Sequence, residues 1–212
     1  MTHTALIAGA SGLIGRSLCQ QLQAEPAFSQ LTALVRRPAG LAAGKLAEMQ
    51  IDYAQLARTT LPQVDIVFCC LGSTIKQAGS QAAFRQVDCD YVLALAQAAR
   101  AAGARHFLVV SALGADANSP VFYNRVKGEM EAALQALDYP RLTIARPSLL
   151  LGERAEFRLG ERVAAKLGWL APARWRPIAA EQVARALLRL ALAPGQGVQV
   201  LESAQLRTLA AS

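Results

Sequence analysis

Ala5-Leu-Ile-Ala-Gly-Ala-Ser-Gly-Leu-Ile-Gly-Arg-Ser-Leu18 constrains the fold of this chain more than any other stretch. The apolar run Ala5 to Ala8 reads as a buried parallel strand. Gly9, Gly12 and Gly15 then turn the chain, and Leu13, Ile14, Leu18 and Leu22 begin a helical stripe. In a strand–glycine turn–helix unit, backbone N–H groups at the helix start face a ligand's phosphates. Gly9 permits the tight turn, Gly12 the close approach of a pyrophosphate, and Gly15 the packing of helix on strand. The candidate contacts to a dinucleotide here are Gly9, Ser11, Gly12, Leu13, Ile14 and Gly15.

Strand and helix patterns alternate through most of the remaining chain, which predicts a Rossmann-like, doubly wound α/β parallel sheet. Expected strands are Leu31–Val35, Met49–Ile51, Val64–Leu71, His106–Val110, Leu142–Ala145 and Val198–Leu201. Expected helices are Gly15–Glu25, Gln81–Ala102 with Gly103 as its stop, Tyr123–Leu137 and Glu181–Leu192, the last of them. At 212 residues the chain reads as a single domain, with a small cap over about 152–178 where the periodicity weakens. Phe157, Leu167, Trp169 and Trp175 are the apolar residues of that cap, either lining a substrate site or packing the cap on the sheet.

Composition excludes several classes. No apolar run reaches the length of a membrane span. The four cysteines, Cys19, Cys69, Cys70 and Cys89, lack metal-ligand spacing and read as small buried thiols, so no metal site is expected. A net charge of +7 is carried by scattered basic residues, and aromatics are only 6%, which argues against specific nucleic-acid binding. The first strand follows Met1 to Thr4 directly, with no room for a signal peptide, so a cytoplasmic protein is expected.

The end of the second strand decides which dinucleotide is favoured. An NAD site places Asp or Glu there to accept from the ribose hydroxyls, whereas a 2′-phosphate calls for positive charge. Arg36 and Arg37 stand at that place, with no acidic neighbour until Glu48, so NADP(H) is expected over NAD(H). Asp52, after the third strand, is a candidate acceptor for the adenine amino group. Leu71 and Gly72, after the fourth, are candidates for close backbone approach to the adenosine half.

The chemistry-bearing set is Ser111, Tyr123 and Lys127. Tyr123 and Lys127, at i and i+4, share one helix face. Ser111, at a strand's C-terminal end, points into the crevice where such sheets bind ligands. Carbonyl reduction needs such a set: Tyr123 as proton donor to the developing alkoxide, Ser111 as hydrogen-bond donor to the same oxygen. A lone lysine charge at about 4 Å in an effective dielectric of ~20 is worth roughly 4 kcal/mol, near three pKa units. Lys127 is therefore expected to bring Tyr123 from the ordinary ~10 close to neutrality, and it is also a candidate cofactor contact.

Together, Gly9-x-x-Gly12-x-x-Gly15, Ser111 and Tyr123-x-x-x-Lys127 resemble the short-chain dehydrogenase/reductase superfamily. Cys69-Cys-Leu-Gly-Ser-Thr74, Val87-Asp-Cys-Asp-Tyr-Val92, Tyr123-Asn-Arg-Val-Lys-Gly-Glu129 and Leu201-Glu-Ser203 are similar to the atypical branch around the Tat-interacting-protein-type oxidoreductases. That resemblance implies NADPH binding, passage of Arg146-Pro147-Ser148 beside the nicotinamide, and a homodimer paired through the helices around Tyr91 and Tyr123. Asp88 stands where many relatives carry Asn. Two functions remain open: an NADPH-dependent reductase of a small carbonyl substrate, and a non-catalytic NADP(H)-binding sensor acting through a protein partner.

Overall fold

The computed structural model describes residues 2–151 and 175–211. Seven parallel strands form one sheet: β1 (His3–Ala8), β2 (Phe28–Val35), β3 (Leu46–Gln50), β4 (Ile66–Cys69), β5 (His106–Val110), β6 (Arg141–Arg146) and β9 (Gly197–Glu202). Their order across the sheet is β3-β2-β1-β4-β5-β6-β9, so the chain reverses direction of winding between β1 and β4. β7 (Leu150–Leu151) and β8 (Ile178–Ala179) pair separately, also in parallel. The predicted doubly wound α/β sheet is the observed architecture, and such sheets bind ligands at the reversal point.

Continuous apolar runs become the central strands because both faces of the sheet are covered. Ala5, Ile7, Ile66, Phe68, Leu108 and Val110 face one layer, α1 (Leu13–Ala24), α6 (Ala180–Leu192) and α7 (Ser203–Ala211). The alternate residues Leu6, Ala8, Val67, Cys69, Phe107 and Val109 face the other layer. That layer holds α3 (Gln81–Arg85), α4 (Tyr91–Ala101), α5 (Phe122–Gln135) and a 3₁₀ turn over Tyr53–Arg58. A short α2 (Ile75–Ala78) precedes α3.

Two expectations are corrected. The single helix over Gln81–Ala102 is interrupted by a π turn over Gln86–Asp90, joining α3 to α4. α6 is not the last helix, because Ser203–Ala211 forms α7 after β9, burying Leu206 and Ala210. The cap residues Phe157, Leu167 and Trp169 lie outside the described residues, and Trp175 is 56% exposed. The thiols are as expected: Cys19, Cys69 and Cys89 are buried, Cys70 half-buried, and all four are unbridged. Burial pushes Cys19 up to about 11 and Cys69 up to about 12, which keeps both protonated and inert.

Candidate active site

Gly9 takes a left-handed conformation, φ 76°, directly after β1. A Cβ there would overlap the carbonyl of Cys70, and one at Gly15 would overlap the carbonyl of Gly9. Only glycine lets the turn sit this close to the end of β4 and lets α1 start directly upon it. Gly12 is the N-cap of α1 without any side-chain cap, so the first N–H groups of the helix remain for a ligand.

A cavity of about 730 Å³ opens beside this turn. Its wall includes Gly9, Ser11 and Gly12 from the turn, Arg36 and Arg37 after β2, and Leu71, Gly72 and Ser73 after β4. Both arginines are exposed along its edge. The carboxylate of Glu48 accepts from the backbone N–H groups of Ala39 (3.1 and 3.3 Å) and Leu41 (2.5 Å), holding the loop that follows them.

Other predicted contacts sit elsewhere. Leu13 is half-buried and Ile14 is core, while Gly15 serves helix packing; none of the three lines the cavity. Asp52 does not line it either: its Oδ1 accepts from Ala54 N at 2.9 Å as the N-cap of the 3₁₀ turn. The aromatic wall comes from its neighbour Tyr53, stacked on Tyr91 with ring centroids 5.6 Å apart. The pattern of Asp followed by an aromatic gives no signal of that role without knowing where α4 lies. Pro147 is buried off the cavity, and its carbonyl accepts from Leu113 N at 2.9 Å, tying down the loop after β5.

Ser111, Tyr123 and Lys127 are not among the residues of the cavity wall, and Lys127 Nζ approaches it at Gly72. Ser111 continues β5, its N–H donating to Ala145 O at 2.7 Å, and its Oγ is buried without a hydrogen-bond partner among the described residues. Tyr123 is half-buried on α5, its ring 5.3 Å from that of Phe84. Gly128, next to Lys127, lets α5 press on the loop after β5, since a Cβ there would overlap Asp116 and Ala117 backbone. In the sequence Gly128 belongs to the stretch that carries the family resemblance; its steric task depends on where the loop after β5 lies.

Lys127 is not the lone cation that the spacing suggests. It is buried, and its Nζ lies 2.8 Å from Asp88 Oδ1. Ser73 holds the other carboxylate oxygen, donating from N at 2.9 Å and from Oγ at 2.7 Å. Burial opposes the ammonium, but the charges of Asp88 and Tyr123 and the hydrogen bond to Asp88 outweigh it, so Lys127 is held above the usual lysine value. The expectation for Tyr123 takes Lys127 as an unopposed charge, whereas the Asp88 carboxylate lies against it.

The chain is similar in sequence and in fold to known proteins. A family model described as NAD(P)H-binding matches residues 9–194. The chain is 36% identical to Protein HTATIP2 of Rattus norvegicus over 206 residues, covering 93% of this chain and 85% of that protein. It is 34% identical to Protein FMP52, mitochondrial, of Eremothecium gossypii over 215 residues, covering 97% and 96%. Among solved structures, MoeE5 in complex with UDP-glucose and NAD superposes with a TM-score of 0.74 at 19% identity, over 93% of this chain and 75% of that one. The expectation of a cytoplasmic protein is overturned here, because the FMP52 relatives from Eremothecium gossypii, Candida albicans and Coccidioides immitis are named mitochondrial. Charge and the approach to the first strand encode the fold's requirements and carry no address.

Proposed function

The chain belongs to the NAD(P)H-binding family, as an atypical short-chain dehydrogenase/reductase related to HTATIP2, and from that premise we propose that it is an NADPH-dependent oxidoreductase of a small carbonyl compound. The observation that carries this reading is Ser111 Oγ, a buried hydroxyl left without a partner among the described residues. Leaving such a group unpaired costs about 1–3 kcal/mol, so its place at the crevice end of β5 is best accounted for by an oxygen brought by a ligand. Bound nicotinamide would supply a hydride to the carbonyl carbon. Tyr123 then gives its phenolic proton to the carbonyl oxygen as charge develops, and Ser111 donates a hydrogen bond to that oxygen. The tyrosinate so formed is reprotonated from solvent.

The cavity fits the other half of such a cofactor. The glycine turn and the uncapped start of α1 suit a pyrophosphate, and Arg36 and Arg37 suit a 2′-phosphate. Glu48, the nearest acidic candidate for the ribose hydroxyls, is engaged by Ala39 and Leu41 N–H groups. A small substrate is favoured because only residues 152–177 separate β7 from β8, a short segment with which to enclose a nucleotide sugar. A sensor without catalysis would leave Ser111 Oγ and the buried Lys127–Asp88 pair without a task.

NADPH oxidation against a panel of small aldehydes and ketones tests the reading. Tyr123→Phe should retain NADPH binding and lose about 10²- to 10⁴-fold in turnover. Turnover equal to the unmodified protein's would overturn it.

A further inference from the structure

We propose, on the reductase reading, that Glu131 and Arg146 are positioning residues: their two-point ion pair fixes the helix that carries Tyr123 and Lys127 against the strand end that holds Ser111.

Tyr123, Lys127 and Glu131 recur at every fourth position of α5, so the three share one side of the helix. On that side Lys127 is tied to Asp88 of the π turn, and Glu131 to Arg146, the last residue of β6. Arg146 Nε donates to Glu131 Oε1 at 3.0 Å and to Oε2 at 3.2 Å, and its Nη2 donates to Oε2 at 2.5 Å. Both carboxylate oxygens are thus held, and the Glu131 side chain is buried.

The neighbours of Arg146 give the ion pair its reach. On one side Ala145 O accepts from Ser111 N at 2.7 Å; on the other Pro147 O accepts from Leu113 N at 2.9 Å. The backbone that presents Ser111 therefore hangs on the two residues flanking the arginine. α5 meets the same loop further along, where Asp116 N donates to Asn124 O at 3.1 Å and Gly128 admits the backbone of Asp116 and Ala117. Arg146 closes this frame, joining the helix to the strand end that the loop already grips.

Bare charge does not account for the arrangement. Glu202, opposite Arg146 in the register of β6 and β9, and Asp116 also act on the guanidinium, so negative charge is present without Glu131. Burying an ion pair also adds little stability over an apolar pair of similar volume. What the fork adds is orientation: paired N–H···O bonds fix both the height and the rotation of a helix face, which a lysine ammonium does not. A misplacement of about 1 Å between reacting groups costs roughly 10²-fold in rate, so the fork is felt in turnover before it is felt in folding.

Arg146→Lys keeps the charge and loses the fork, Glu131→Gln keeps the size and one acceptor oxygen, and Glu131→Leu with Arg146→Met replaces the pair by apolar packing. With NADPH saturating, Arg146→Lys should lower kcat for small carbonyl compounds about 10- to 100-fold and change the Kd for NADPH by less than about 2-fold, because other residues wall the cavity. The apolar double variant should keep its urea melt and share the loss of kcat. Backbone hydrogen exchange of the cofactor-free protein needs no turnover. The amides of Ser111 and Leu113 should exchange at least ~10-fold faster in each variant, while that of Cys70, bonded to Ala8 O at 2.9 Å, keeps its rate. Unchanged protection of Ser111 and Leu113 in Arg146→Lys, or kcat restored by the apolar pair, would overturn the proposal. Should Arg146→Lys not fold, Glu131→Gln is read by the same two measurements. Absence of carbonyl reduction by the unmodified protein would defeat the functional reading and leave the exchange rates to decide the positioning.

Discussion

Lys127 Nζ and Asp88 Oδ1 lie 2.8 Å apart with 3% and 0% of their side chains exposed, so one charge in this core has meaning only with the other present. Removing a single partner from a buried pair costs about 3–5 kcal/mol, because the survivor is stranded in a low-dielectric interior. Lys127→Met should therefore destabilise the fold by about that amount in denaturant melts. Adding Asp88→Leu to it should recover part of the loss, giving a double variant less destabilised than the sum of the singles. Strict additivity would mean that the two charges do not interact.

Gly9 and Gly40 both take positive φ, 76° and 66°, but only Gly9 has backbone against the place of its missing Cβ. Gly40→Ala should cost about 1–2 kcal/mol, the ordinary penalty for a left-handed alanine. Gly9→Ala adds overlap with Cys70 and should cost more, with loss of NADPH binding in a fluorescence titration. Equal costs for the two would show that the turn has room to relax.

Arg36 and Arg37 border the cavity and are open to water. If they hold a 2′-phosphate, each charge-assisted hydrogen bond contributes about 1.5–3 kcal/mol. Replacing both with Ala should raise the Kd for NADPH at least ~10-fold and leave that for NADH nearly unchanged. Equal weakening of the two cofactors would place the arginines elsewhere on the ligand.

His106 is buried in β5, its Nε2 2.9 Å from Thr143 Oγ1. Burial, then the nearby Arg141 charge, pushes its pKa down to about 3. Unfolded histidine titrates near ~6.5, so between those values the unfolded chain binds a proton that the folded chain refuses. Stability should consequently rise with pH from about 3 to 6.5, by up to about 1.4 kcal/mol per unit from this residue. Urea melts of His106→Gln at pH 5 and pH 7 should show a pH dependence weaker by that amount.

The central strands were legible because β1, β4 and β5 are covered on both faces and need unbroken apolar runs. The glycine turn and the Tyr123–Lys127 pair were legible because each is set by spacing over a few neighbouring residues. What spacing does not encode is which distant group completes a site. Asp52 is an acid at a strand end, yet capping a 3₁₀ turn occupies it, and the wall falls to Tyr53 and Tyr91 from separate elements. Asp88 was visible as a departure from Asn, but its grip on Lys127 depends on a π turn inside a stretch whose composition reads as uninterrupted α-helix. α7 carries too weak a stripe, with Leu206 and Ala210 as its buried apolar residues, to be separated from a trailing coil.

The π turn at Gln86–Asp90 acts as a phase shift in the rod formed by α3 and α4. A residue added to an α-helix rotates everything after it by about 100°. The bulge absorbs such a rotation, directing Gln86 and Val87 to the cavity and Asp88 to Lys127, while Val92, Leu95, Ala96 and Ala99 keep their places in the core. Substitutions in these five residues change what the two sites hold, whereas a one-residue deletion would retime the rod and make ligand wall and hydrophobic core compete for the same face. The segment is thus bound in length along its whole run and in composition at the buried Asp88 and Cys89.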